Sequence, residues 1–415
     1  MRILISASLY PPFRVGGQEE VTSLLAEALA RRGDEVSVVT LHPSDTETVE
    51  NRNGVRIYRL PLENDYWPWG RTEKPPTSQR LAWHLRNVYN SAMARRVGGL
   101  LDEVRPEIVH TNSLTGFSVS FWREVKRRRI RLVHTMHDYS LMCSRESMYR
   151  EGGTCLRRCA SCIAFTTLQK AWSHRLDAVV SVSAHVLAAH KRKGYFSEVP
   201  GSVIFNISGM LQGSPPPRRI AEAKDGLTFG FIGRIAPEKG LEVLLKATRK
   251  LRAPDWRLKI AGRGLDGYVS MLQERFPDPR IEWVGYVNPT EFYPAIDCCI
   301  VPSLWGEPLP TVLIESMSTG CSVICARSGG IPELASLART GAVYSAEDDG
   351  ALAALMDEAL ADPGRWSSGG FRTQEAAGLF SEDAVVRQYR AVYRGGKSEA
   401  VFKYGLEASP PKPVF

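Results

Sequence analysis

Short apolar runs of strand length alternate with amphipathic stretches of helix length twice along this chain, and that alternation leaves few folds open. Arg2–Ala7 is a strand candidate with Ile and Leu at its centre, and a Pro/Gly loop follows from Tyr10 to Gly17. Val21, Leu24, Leu25 and Leu29 then fall at i, i+3, i+4 and i+8, one face of a helix. That helix stops at Arg31-Arg32-Gly33, basic residues and then Gly, as a helix C-terminus prefers. Glu35–Thr40 is the next strand. A strand–helix–strand unit with so long a crossover belongs to a parallel sheet. Further strands are predicted at Val55–Leu60, Ile108–Thr111, Leu132–Thr135, Ala178–Val182 and Val203–Asn206, with helix around Ser78–Leu101. The stretch Gln212-Gly213-Ser214-Pro215-Pro216-Pro217-Arg218-Arg219 then interrupts the pattern as a linker. The alternation restarts with Leu227–Ile232 as strand, Leu241–Leu251 as helix, Leu258–Ala261 as strand and Leu265–Phe276 as helix. Strands Ile281–Val284, Cys298–Pro302, Ser322–Cys325 and Ala342–Tyr344 continue it, and Ala351–Leu360 and Ser381–Tyr393 are late helices.

Two doubly wound α/β domains follow from this order, and ligands of such sheets sit beyond the strand C-terminal ends. The expected division is a first domain over 1–200, a linker over 201–226, a second domain over 227–380, a final helix over 381–394 and a disordered tail over 395–415. A length of 415 residues suits two or three domains of about 100–200 residues each. With 43% hydrophobic and 24% charged residues, a mainly disordered or collagen-like chain is excluded. No run approaches the roughly 18 uninterrupted apolar residues that a spanning helix needs. The opening residues carry one basic residue, a short apolar core and then Pro11-Pro12, which predicts a first strand rather than a secretory leader, and so a cytoplasmic address. The net charge of +8 suits an anionic partner.

Four loops at strand C-terminal ends carry the residues of chemical interest. Gly16-Gly17 opens the first helix, where backbone N–H groups and the helix dipole favour a phosphate, although the pair lacks a dinucleotide-binding fingerprint and equally fits a tight turn. Gly233-Arg234-Ile235-Ala236-Pro237-Glu238-Lys239-Gly240 brings two cations into one short loop, a fork and a point charge suited to a diphosphate. In Glu307-Pro308-Leu309-Pro310-Thr311, Pro310 is expected as the first helical residue, with the N–H groups of Leu309, Thr311 and Val312 open to an anion. Glu307 precedes that helix, and Glu315 lies one to two turns inside it. The fourth loop, His134-Thr135-Met136-His137-Asp138-Tyr139, ends a strand, and an imidazole there can bind a substrate hydroxyl or relay a proton.

Together these loops resemble the retaining glycosyltransferases of family 4, which have the GT-B fold of two Rossmann-like domains facing a central cleft. The resemblance rests on Gly16-Gly17, Gly233-Arg234 with Glu238-Lys239-Gly240, Glu307 and Glu315 in an E-x7-E pattern, His137-Asp138-Tyr139 and Ser328-Gly329-Gly330-Ile331-Pro332-Glu333. It spans about residues 1–394. It implies a hexosyltransferase-type enzyme of polysaccharide biosynthesis that uses a nucleoside-diphosphate sugar, with the donor held mainly by the C-terminal domain. Arg234 and Lys239 would hold the diphosphate and Leu309, Pro310 and Thr311 the phosphate end. Glu315 would bind the ribose, Glu307 the donor sugar, and His137 would contact the sugar from the acceptor-side domain. Gly16, Gly17 and Gly233 would line the donor site. No catalytic cofactor is implied, and the final helix resembles an element that returns to the first domain.

Cys143, Cys155, Cys159 and Cys162 fall within twenty residues, in a spacing that suits a structural zinc or an iron–sulfur cluster as well as a set of reduced thiols or a local disulfide. The run Arg123–Arg131 reads either as a solvated helix end or as a contact with an acidic membrane surface beside a lipid-linked acceptor. Nucleic acid is not an expected partner, since no recognition motif accompanies the charge. The competing readings are a nucleotide-sugar 2-epimerase of the same fold and a non-catalytic nucleotide-sugar-binding protein.

Overall fold

Arg2–Ser6 forms β1, buried at every residue after Arg2, and it pairs in parallel with β2 (Glu35–His42) in the register Ile3↔Val36 and Ile5↔Val38. Such continuous apolar strands belong to sheets covered on both faces. The crossover between them is the Gln18–Arg31 helix, which buries Val21, Leu25 and Leu29 and packs Leu24 against the same core. The sheet continues with β3 (Thr48–Arg52), β4 (Val55–Pro61), β5 (Ile108–Thr111) and β6 (Arg131–Met136). A hairpin of β7 (Tyr149–Arg150) and β8 (Gly153–Thr154) follows, and then β9 (Ala178–Ser181) and β10 (Gly201–Val203). The strand order is β10-β9-β6-β5-β1-β2-β4-β3, parallel except for β3, so the chain reverses its direction of travel between β1 and β5.

A second sheet holds β11 (Leu227–Ile232), β12 (Trp256–Ala261), β13 (Ile281–Gly285), β14 (Cys298–Val301), β15 (Ser322–Ala326) and β16 (Gly341–Tyr344). All are parallel in the order β13-β12-β11-β14-β15-β16, with the reversal between β11 and β14. The computed structural model describes every residue except Arg14, Val15, Thr72, Lys74, Glu151, 212–225 and 397–415. The Pro-rich linker at 212–219 and most of the tail over 395–415 lie outside the described residues. The chain divides into two units, one of 1–148, 156–207 and 382–415, the other of 149–155 and 208–381. Among the described residues no helix is long and apolar enough to cross a membrane.

The Glu382–Tyr393 helix belongs to the first unit, where Val385, Val386, Tyr389, Val392 and Tyr393 join a core with Ile3, Ile5, Leu25 and Val38. Two ion pairs, Arg31 and Arg32 with Glu382 at 2.5 and 2.7 Å, fix its start. Its buried hydroxyls close a polar chain: Tyr393 Oη bonds His110 Nδ1 at 2.8 Å, His110 Nε2 bonds Thr135 Oγ1 at 2.7 Å, and Thr135 bonds Tyr389 Oη at 3.2 Å. Burial lowers the imidazole of His110 to about 3 and those of His137 and His190 to about 4, and holds that of His134 well below its ordinary value. Each of these rings binds a proton in the unfolded chain below about pH 6.5 that it refuses when folded, so each removes stability as pH falls toward 4. Asp138 and Glu146, whose carboxyls burial raises, act in the opposite sense but are two against four. Denaturant unfolding of the first unit at pH 7.5 and pH 5 should therefore show stability falling by about 1.4 kcal/mol per pH unit or more. Equal stability at the two values would contradict it.

Candidate active site

The reversal point of the second sheet lies between the C-terminal ends of β11 and β14, where open α/β sheets bind ligands. The loops leaving these two strands carry both of the cations and both of the carboxylates expected there. After β11, Pro237–Lys239 makes one turn of 3₁₀ helix that ends at Gly240. Gly240 has φ +71°, and a Cβ on it would lie 1.9 Å from the Pro302 carbonyl oxygen, so only glycine lets the two loops touch. This contact brings Lys239 to Glu307: Lys239 Nζ donates to Glu307 Oε1 at 2.5 Å. The same oxygen accepts from Ser303 Oγ at 2.9 Å and from Trp305 Nε1 at 2.8 Å. Lys239 Nζ also stands 5.2 Å from the centre of the Trp305 ring. Glu307 is thus buried with its charge matched, which is how a buried carboxylate is tolerated.

A third loop clamps Glu307 from behind. Gly330 N–H donates to the Glu307 carbonyl at 2.7 Å, and Ser328 Oγ donates to the Trp305 carbonyl. Gly329, at φ +59°, lies so close that a Cβ would come within 2.1 Å of the Glu307 carbonyl oxygen. Arg234 is more loosely held, its guanidinium 62% exposed and bonded to Glu238 Oε1 at 2.7 Å. Gly233 continues β11, its N–H donating to Ala261 O at 3.0 Å.

The helix after β14 runs over Thr311–Ser318. Pro310 is its cap and not, as expected, its first residue, because its ψ of 110° is extended. It supplies no side-chain cap, so Thr311 and Val312 of the first turn direct N–H groups out of the helix start next to Leu309. Glu315 sits one turn inside, half-buried, where the buried Tyr293 hydroxyl donates to its Oε2 at 2.7 Å.

In the first unit, the reversal point lies between β1 and β5. Asn112, directly after β5, donates from Nδ2 to the Ser6 carbonyl at 3.2 Å, which turns its Oδ1 toward His137 Nε2 at 2.9 Å. A carbonyl can only accept, so the Asn112 amide is fixed, and the His137 proton resides on Nε2. Burial keeps this imidazole neutral at neutral pH, which leaves Nδ1 as an acceptor. Gly16 and Gly17 open the Gln18–Arg31 helix without positive φ, and the Gly16 N–H is occupied by Glu19 Oε2 at 3.0 Å. The anion at that helix start is therefore the chain's own carboxylate, which a phosphate would have to displace.

The expectation at the cysteines is a structural metal, a local disulfide or a set of reduced thiols. Among the described residues no group of three or more His, Cys, Asp or Glu side chains is placed to hold a metal ion. Cys159 Sγ turns to the Ser161 hydroxyl at 3.2 Å and Cys162 Sγ to that of Ser144 at 3.8 Å. Cys143 Sγ accepts from Arg145 N–H at 3.4 Å, and Cys155 follows the hairpin that groups with the second unit. Burial pushes the Cys162 thiol up to about 11, so it stays protonated. The basic run is also largely matched within the unit: Lys126 pairs with Asp177 at 2.9 Å, Arg127 with Glu124 at 3.1 Å and Arg128 with Asp102 at 2.7 Å. Sequence reasoning missed Ser303, Trp305, Tyr293 and Asn112, none of which stands in a motif of its own.

Comparison with known proteins gives the chain a family and a fold. Residues 16–204 match the family model described as "Glycosyl transferase 4-like domain", and residues 217–372 match "Glycosyl transferases group 1". An uncharacterized 42.6 kDa protein in the cps region of Klebsiella pneumoniae is 28% identical over 397 residues, 95% of this chain and all of that one. Among solved structures, sucrose-phosphate synthase of Thermosynechococcus elongatus superposes with a TM-score of 0.74 at 23% identity, over 94% of this chain and 98% of the other. Anabaena HepE in complex with UDP-glucose gives 0.68 at 16% identity, over 94% and 99%.

Proposed function

This chain belongs to the GT-B glycosyltransferases of the family 4 type, and from that premise we propose that it is a retaining enzyme, taking a sugar from a nucleoside-diphosphate donor and passing it to a glycan or lipid-linked glycan. The observation that carries the donor half is the convergence of Lys239, Glu307 and the Thr311 helix start at the reversal point of the second sheet. As the glycosidic bond breaks, negative charge gathers on the departing diphosphate. Lys239 and the N–H groups of Leu309, Thr311 and Val312 are fixed donors aimed at that charge and the exposed Arg234 adds a second cation, which stabilises the transition state more than the ground state. Glu307 uses Oε1 for Ser303, Trp305 and Lys239 and keeps Oε2 for hydroxyls of the donor sugar. Glu315, steadied by Tyr293, is suited to a pair of ribose hydroxyls. The neutral His137 offers Nδ1 to a sugar hydroxyl. HepE was solved with UDP-glucose, which supports a nucleotide-sugar donor for a chain of this fold.

Nucleotide sugars screened by thermal shift, followed by proton NMR of the product, test this reading. The transferred sugar should keep the anomeric configuration that it has in the donor. An inverted product would reject retention, and a donor turned over only to its 2-epimer would reject transfer.

A further inference from the structure

A cavity of about 270 Å³ lies wholly within the first unit, walled by the segment after β4 and by the cysteine-bearing segment after β6. Its volume is close to the lower end of ordinary ligand sites, roughly 300 Å³, enough for one or two sugar rings. Tyr66, Trp69 and Trp83 supply aromatic surface, and Trp69 is itself braced by Trp67 at 4.7 Å between ring centres. Asn87, Thr115, Glu146 and Gln169 supply polar groups. The Asn87 oxygen already accepts from Gly116 N–H at 2.7 Å, so what it offers the cavity is a pair of N–H donors. Thr115 Oγ1 donates to Glu146 Oε1 at 2.8 Å and so fixes that carboxylate in the wall.

Gln169 is the most informative of these. The residue is only 6% exposed, and its Oε1 is buried with no hydrogen-bond partner among the described residues. A buried acceptor left unmade costs about 1–3 kcal/mol, so a residue of the wall that carries one behind the surface is a place where a small rotation takes up a donor from outside. A ligand with flat apolar faces for indole rings, and with hydroxyls that both donate and accept, is a saccharide. Among the described lining residues there is no Lys or Arg, while Glu146 contributes an acid and burial keeps His84 uncharged. Such a wall disfavours phosphorylated or carboxylated sugars.

We infer that this cavity binds a neutral saccharide, the glycan end that accepts the transferred sugar. The inference rests on the transferase reading above. Saturation-transfer NMR with methyl glucoside, methyl galactoside, maltose and lactose, against glucuronic acid and glucose 6-phosphate, tests it on the full chain. At least one neutral glycoside should bind, and the two anionic sugars at least tenfold more weakly. Gln169→Leu removes the orphaned acceptor, so glycoside affinity should fall tenfold or more while thermal stability holds or rises, which a merely structural glutamine would not do. Trp69→Ala, at a half-buried position, should weaken binding by a similar factor. Nucleoside-diphosphate binding, followed by thermal shift, should be unchanged in both variants. Glycosides that bind both variants as tightly as the parent would overturn the assignment, as would anionic sugars that bind equally well. Failure of every glycoside with nucleotide binding intact would sink the cavity alone, whereas loss of nucleotide binding by the parent chain would sink the donor reading.

Discussion

Lys239→Ala should lower sugar transfer by about a hundred- to a thousandfold at saturating donor, the range seen when one fixed donor to a developing negative charge is removed. Lys239 is the cation held at the reversal point, with its ammonium on Glu307 and above the Trp305 ring. Two effects add in the variant. The diphosphate loses a charge aimed at it, and Glu307 keeps only Ser303 and Trp305 as partners for a buried carboxylate. The second effect alone costs affinity, because an ion stripped of its counter-charge must recruit water or shift. Arg234 is 62% exposed and shares its fork with Glu238, so Arg234→Ala should be milder than Lys239→Ala. Single-turnover rates with donor in excess, with melting temperature followed in parallel, separate chemistry from folding. Near-parental transfer in Lys239→Ala would remove the diphosphate role assigned to it.

The parts that were legible in the sequence are those set by period and by motif. Strands such as β9, β14 and β15 are buried throughout because both faces are covered, and their apolar runs stand out for the same reason. β3 was not legible: all five of its residues are exposed on an edge, so no apolar alternation marks it. The helical stretch expected around 78–101 holds two helices, Thr77–Val88 and Ser91–Val104, and Asn90 caps the second by accepting from Met93 N–H at 3.0 Å. At the candidate site, Lys239, Glu307 and Glu315 stand out in the sequence by their spacing, but the groups that hold them do not. Trp305 and Ser303 act on Glu307 through the turn after β14, and Tyr293 reaches Glu315 from 22 residues away. Such partners depend on which loops meet, which is decided by sheet order. What the cysteine spacing leaves open is set by where the loops bring the thiols: Cys143 accepts from Arg145 N–H, Cys159 turns to Ser161 and Cys162 to Ser144.

Gly240→Ala should destabilise the second unit by at least about 3 kcal/mol, well beyond the usual cost of a point change. The residue lies at φ +71°, where any Cβ adds about 1–2 kcal/mol of strain by itself. The added methyl would also stand 1.9 Å from the Pro302 oxygen and 2.8 Å from its carbon. Both are backbone atoms at the end of β14, so no side-chain rotation relieves the overlap. Leu304 N–H donates to the Glu238 carbonyl at 2.9 Å, and the two loops would have to part there as well. Once they part, Lys239 leaves Glu307, so surviving folded protein should bind nucleotide poorly even below its melting temperature. Gly267→Ala is the matching control: it begins a helix, has open space around it and no positive φ, and should hold or gain stability. Melting curves of the two variants, each with and without a nucleoside diphosphate, decide the matter. If Gly240→Ala melts with Gly267→Ala and still gains stability from the nucleotide, the contact between these loops is not what builds the site.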